Sequence, residues 1–126
     1  MSADKCNFSH TLVNDPVHGA IYLSEVERDL ISTPTFQRLN NVKQLGLGYM
    51  VYPGANYSRF SHSLGACHLA GKMYDAISDN TGRGPTNLSR KFSDKEKQLY
   101  RIAALLHDVG HYPFSHTFEH LSLIHI

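Results

Sequence analysis

Residues Ile102-Ala103-Ala104-Leu105-Leu106-His107-Asp108-Val109-Gly110-His111 run five apolar side chains straight into His-Asp and then Gly-His. An apolar helix that ends this way carries two adjacent metal-type ligands out of a packed core. Upstream, Ser93-Asp94-Lys95-Glu96 has the hydroxyl-to-carboxylate spacing of a capping box, so a helix is expected to start there. Leu99, Ile102, Ala103, Leu105 and Leu106 are expected to bury it. Downstream, Gly110 is expected as its C-cap and Pro113 bars simple continuation, while Ser115 could cap a further helix.

Further from this stretch, spacing is again helical from about residue 60 to 78, with Leu64, Cys67, Leu69, Met73 and Ile77 as a core stripe. The small residues Gly65, Ala66, Ala70 and Gly71 permit close helix contact. Residues 79–92, rich in Gly, Pro, Asn, Ser and charge, read as a solvated loop. Near the N-terminus, Asp15-Pro16 and His18-Gly19 supply turn chemistry between short extended pieces, so a small β-hairpin is expected. Residues 25–31 read as a short helix. Thr33-Pro34 opens another along Phe36, Leu39, Val42 and Lys43. The fold class is therefore mainly α, with one hairpin.

The 126 residues fit one small domain or part of a larger one. No apolar run approaches the roughly 20 residues that span a membrane. Cys6 and Cys67 make no framework pattern and read as free thiols, which with Met1–Lys5 lacking a signal-peptide core gives a cytoplasmic expectation. Twelve Lys+Arg against 11 Asp+Glu argue against a general nucleic-acid coat. Nine histidines are a mild pointer to metal or proton chemistry. The final Leu121-Ser122-Leu123-Ile124-His125-Ile126 read as the translation of a common transposon adapter. The expected organisation is thus residues 1–120 as the N-terminal portion of one truncated domain and 121–126 as a non-native tail.

His107 and Asp108 can share an ion at a helix end, and imidazole with carboxylate suits Mn, Fe, Zn or Ni better than Ca. His62, in Arg59-Phe60-Ser61-His62, is the natural third ligand. Three protein ligands with open positions make a catalytic rather than a structural arrangement. A His-Asp pair alone also serves as a charged helix end. Gly110-His111 and Arg59-x-x-His62 favour the metal. Arg59 shares a helix face with His62 and is a fork-shaped phosphate binder. His111 and His116 flank Tyr112-Pro113-Phe114 as candidate general acid or phosphate donors, and Glu119 as an orienter. His10, His68, His120 and His125 have no such context and read as structural.

These residues fall in a longer collinear series: Asn14-Asp15-Pro16-Val17-His18-Gly19, Thr33-Pro34-x-Phe36-Gln37-Arg38-Leu39, Lys43-Gln44-Leu45-Gly46, Tyr52-Pro53-Gly54-Ala55, Arg59-Phe60-x-His62-Ser63-Leu64-Gly65, and His107-Asp108-x-Gly110-His111-x-Pro113-Phe114-Ser115-His116. The series resembles the HD-domain superfamily, and within it the dNTP triphosphohydrolase branch. The resemblance implies the N-terminal part of an HD-domain helical bundle. It implies a metal-dependent phosphohydrolase that cleaves a dNTP to deoxynucleoside and triphosphate. His62, His107 and Asp108 would be metal ligands, with additional Mg possible. Arg59 and His116 would lie on the triphosphate, His111 would be catalytic with Glu119 beside it, and Gln44 and Leu45 would meet the deoxynucleoside. The fourth ligand of the family, an Asp on a later helix, has no counterpart here, so the fragment alone is expected to be inactive. Asn14 and Gln37 match an allosteric nucleotide site, but Ser32 and Asn40 replace its guanine-reading Asp and Arg. A homo-oligomeric full-length parent is also implied. Two alternatives carry the same chemistry residues: an HD phosphohydrolase acting on a cyclic nucleotide, alarmone or nucleoside monophosphate, and a non-catalytic nucleotide- or nucleic-acid-binding HD module.

Overall fold

The expected hairpin forms because Asp15 Oδ1 accepts hydrogen bonds from the backbone of Val17 (2.9 Å) and His18 (2.8 Å), and Gly19 takes a positive φ of 71°. The computed structural model describes residues 11–80 and 92–114. Strands β1 (Thr11–Asp15) and β2 (Gly19–Leu23) pair antiparallel, with Thr11 opposite Leu23 and Asp15 opposite Gly19. Strand alternation sends Ile21 and Leu23 fully inward and Tyr22 outward.

Helix α1 (Glu25–Ile31) starts in a complete capping box, with Ser24 Oγ accepting from Glu27 N and Glu27 Oε2 accepting from Ser24 N. Helix α2 (Pro34–Gln37) is capped by Thr33 and tightens into a 3₁₀ turn over Arg38–Asn41. The helical spacing from Phe36 to Lys43 therefore outruns the helix. Val42 is extended, because its carbonyl accepts from Arg59 N (2.8 Å) and Lys43 pairs with Ser58. That bridge seats the start of α3 (Arg59–Asn80). Helix α4 (Asp94–Leu106) begins at the expected Ser93 cap. Gly110 does not end it in a left-handed conformation. Leu106 is the last helical residue, His107 is the C-cap, and among the described residues the glycines with positive φ are Gly19 and Gly46.

Helices α3 and α4 run antiparallel. Tyr74 and Asp75 meet Ser93, Glu96 and Lys97, Gly71 meets Arg101, and Arg59 and His62 meet His107 and Asp108. The core gathers Ile21, Leu23, Ile31, Phe36, Leu39, Leu64, Cys67 and Leu105. Leu69, Met73, Ile77 and Leu99, expected inside, are exposed. The buried face of α3 carries Ser63, Leu64, Gly65, Cys67, Gly71 and Tyr74 instead. Small residues win there because His18 packs 3.0 Å from where a Gly65 Cβ would stand, and Arg101 Nη1 2.9 Å from that of Gly71.

Arg101 reaches past Gly71 to Glu27, which is fully buried, through Nε–Oε1 (2.7 Å) and Nη2–Oε2 (2.9 Å), and Nη2 also donates to Tyr22 O (2.9 Å). One side chain thus fastens α4 to β2 and α1. Cys67 Sγ donates to Glu27 Oε1 (3.7 Å), and burial pushes this thiol up to about 12, so it stays protonated beside the carboxylate.

Removing one partner of a buried ion pair typically costs about 3–5 kcal/mol. Arg101→Met in the full-length protein is expected to lose about that much in chemical denaturation. Gly71→Ala, which pushes into the held guanidinium, is expected to destabilise as well. Burial alone would raise the Glu27 carboxyl. Hydrogen bonds from Arg101 and Ser24, with the Arg101 charge, outweigh it and hold the group below 4.5. A lowered folded pKa contributes stability above the unfolded value that is lost as pH falls through the folded value. Denaturation midpoints are therefore expected to drop in acid below about pH 4.5, and less steeply in Glu27→Gln, whose side chain does not titrate.

Candidate metal centre

Arg59 opens α3, where Ser58 Oγ accepts from Ser61 N (3.3 Å), and His62 follows one turn later on the same face. At the far end of α4, His107 keeps helical angles and Asp108 begins a turn that closes through His111 N to Asp108 O (3.0 Å). The antiparallel register brings these two ends together. His62 Nε2 lies 3.2 Å from His107 Nε2 and 3.7 Å from Asp108 Oδ2, and His107 Nε2 lies 3.6 Å from Asp108 Oδ1. The three donor atoms all fall within 4.8 Å of one another, the spacing of ligands around one ion.

The donor chemistry fits a divalent transition metal. His107 Nδ1 is 2.6 Å from Ala104 O, which can only accept, so Nδ1 carries the proton and Nε2 presents a lone pair. A backbone carbonyl behind a ligating imidazole is the usual orienting partner. His62 is held below its ordinary value of 6.5, first by burial and further by His107 and Arg59, with Asp108 opposing; it is therefore readily neutral and able to ligate. Asp108, with a side chain 12% exposed, accepts from Arg59 Nη1 at 2.6 Å, and the Arg59 side chain is 3% exposed. The buried guanidinium aims the carboxylate and balances its charge.

A family model for the HD domain matches residues 59–125. The chain belongs to the HD-domain family. It is 44% identical over 108 residues to the deoxynucleoside triphosphate triphosphohydrolase SAMHD1 of Homo sapiens, covering 86% of this chain and 16% of that protein. It is 42% identical over 111 residues to the Dictyostelium discoideum SAMHD1 homolog, covering 88% of this chain and 20% of that protein. An uncharacterised protein of Methanocaldococcus jannaschii is 44% identical over 108 residues, 86% of this chain and 20% of its own. The chain spans about a fifth of the length of these curated relatives.

Other HD-domain expectations divide. His111 follows the metal pair, and its carbonyl accepts from Arg38 Nη1 (3.0 Å). Gln44 lies in the segment that pairs with the start of α3, its N–H donating to Tyr57 O (3.1 Å). Its Oε1 is buried without a hydrogen-bond partner among the described residues. Leu45 is half exposed. Asn14 lies exposed in β1, and Gln37 donates to Ile31 O (2.7 Å) and accepts from Asn40 (3.1 Å). Among the described residues no hydrogen bond joins Asn14 to Gln37. His116, Glu119 and Ser115 lie outside the described residues, as do Cys6, His10, His120, His125 and the tail. His68 lies beside His18, ring centroids 5.4 Å apart and the rings tilted by 44°. Sequence reading gave no role to Arg38, Glu27 or Arg101. Their partners are backbone carbonyls or lie 71–74 positions away, which spacing cannot reveal.

His107→Ala and Asp108→Ala in the full-length protein are each expected to purify without the ion, and His62→Ala with less than one equivalent. Elemental analysis of protein passed over a desalting column reads this out. Full metal occupancy in Asp108→Ala would break the assignment.

Proposed function

We propose that the protein carrying this chain hydrolyses deoxynucleoside triphosphates to deoxynucleosides and triphosphate. The observation that carries the reading is Arg59. A phosphate-type side chain stands against a carboxylate of the three-donor centre, one turn from its first histidine. The likeness to proteins named deoxynucleoside triphosphate triphosphohydrolase gives the substrate class. An open groove of about 370 Å³, lined by Asp15, His18, Tyr57, Ser61 and His62 among others, borders the centre at His62.

A bound Mn, Fe, Zn or Ni, with Mg as a possible second ion, supplies Lewis-acid polarisation of a phosphoryl oxygen and a water of lowered pKa. His62, His107 and Asp108 hold it. Arg59 orients Asp108 and stabilises charge on the phosphates, with His116 sharing that work. His111 donates a proton to the leaving 5′-oxygen and Glu119 orients it. Gln44 and Leu45 receive the deoxynucleoside. Asn14 and Gln37 as an effector site, and homo-oligomerisation, belong to the same reading.

The test is product analysis with full-length protein and each of the four dNTPs. Triphosphate release is expected; release of pyrophosphate or phosphate alone, or turnover confined to a cyclic nucleotide or monophosphate, contradicts the reading. Arg59→Ala is expected to cut turnover by about 10²–10³. It is also expected to weaken metal retention by about 10–100-fold, because Asp108 loses its orienting partner.

A further inference from the structure

Four residues into the turn after α4, Gly110 and His111 have left regular structure, yet the segment is held from outside. Arg38 Nη2 donates to Val109 O at 2.6 Å and Nη1 to His111 O at 3.0 Å. These carbonyls flank Gly110 and lie just past a helix C-terminus, where acceptors lack intrahelical partners and a cation is favoured by the helix dipole. A guanidinium fork matches two such acceptors, whereas an ammonium, being a point charge, does not. Arg38 is itself fixed, because it sits between Phe36 and Leu39, which are 1% and 0% exposed in the core. A second hold lies further along. Phe114 takes a positive φ of 69°, unfavourable for a residue with a side chain, and the Gly46 turn, at φ 55°, approaches so closely that a Cβ on Gly46 would stand 3.5 Å from the Phe114 backbone. The stretch from Arg38 to Gly46 therefore cradles residues 109–114 at both ends.

We infer that Arg38 is a positioning residue: its fork fixes the Val109–His111 main chain, and through it the His111 imidazole, relative to the metal pair. The inference rests on the reading that His111 acts on the substrate. Arg38 touches neither ligand nor reacting atoms. It ties to the core a turn whose own hydrogen bonds, Val109 N to Leu106 O and His111 N to Asp108 O, run only to its neighbours.

The experiment uses full-length protein carrying Arg38→Ala, Arg38→Lys, His111→Ala and the Arg38→Ala/His111→Ala pair. Metal content, kcat and KM for triphosphate release, and hydrogen exchange of residues 107–114 are measured on each. Arg38→Ala is expected to lower kcat by about 10²-fold, the scale of a catalytic group displaced by about 1 Å, with KM and metal content near wild type. Exchange in 109–111 should quicken. Arg38→Lys keeps the stem packing and the charge but is expected to rescue neither readout. The double variant should be no slower than His111→Ala, since Arg38 acts through that residue. Additive losses in the double variant overturn the inference, as does wild-type exchange in Arg38→Lys. Should Arg38→Ala fail to fold, Arg38→Lys alone decides by the same readouts. A wild type that releases no triphosphate from any dNTP overturns the nucleotide reading, and the exchange measurement, which needs no substrate, then decides on Arg38 by itself.

Discussion

The bidentate ion pair between Arg101 and Glu27 is the constraint on which the described structure depends. Both side chains are buried, and each oxygen of Glu27 is engaged by the fork or by the cap of α1. A buried pair of this kind adds little net stability over a well-packed apolar pair, but it tolerates very little displacement. Arg101 can meet Glu27 only where Gly71 leaves the gap. That condition sets how α4 slides and rotates against α3. Asp108 lies seven residues on from Arg101, two helical turns along nearly the same stripe, so the register that pairs Arg101 with Glu27 also brings Asp108 to Arg59. Two Arg–carboxylate pairs thus fix the middle of α4 and the turn just beyond its C-terminal end.

At the second pair the electrostatics turn from structure to chemistry. Two imidazole nitrogens 3.2 Å apart beside a carboxylate form an acceptor-rich cluster, and Arg59 offsets only part of it. His107 has its outer proton committed to Ala104 O, and His62 is biased toward its neutral form. The cluster is short of one positive centre, and a divalent cation meets that need. The backbones that carry the proposed ligands are secured from outside, the start of α3 by the bridge at Lys43–Ser58 and the turn after α4 by Arg38.

The hairpin, the two main helices and the convergence of His62 with His107-Asp108 were legible in the sequence because each has a local signature: turn residues, a cap hydroxyl, periodicity, adjacent ligands. The buried face of α3 was legible only at Leu64 and Cys67. Leu69, Met73 and Ile77 have the right spacing and the wrong side, because the true contact face is chosen by what reaches across it, an imidazole at Gly65 and a guanidinium at Gly71. Past Cys67 that face continues through Gly71 and Tyr74 rather than through large aliphatic side chains, so the apolar signal fades there. The Glu27–Arg101 pair was hidden for a related reason: nothing local to either residue announces a partner 74 positions away. Even Ser24-x-x-Glu27, a complete capping box, gives no sign that its carboxylate serves a second helix.

The central claim is that this register assembles one metal centre from His62, His107 and Asp108. X-ray absorption at the edge of the metal retained by the full-length protein tests it most directly. The account expects a first shell of nitrogen and oxygen at about 2.0–2.2 Å with the outer-shell scattering of two imidazoles. A shell containing sulfur, or one without imidazole scattering, would contradict it.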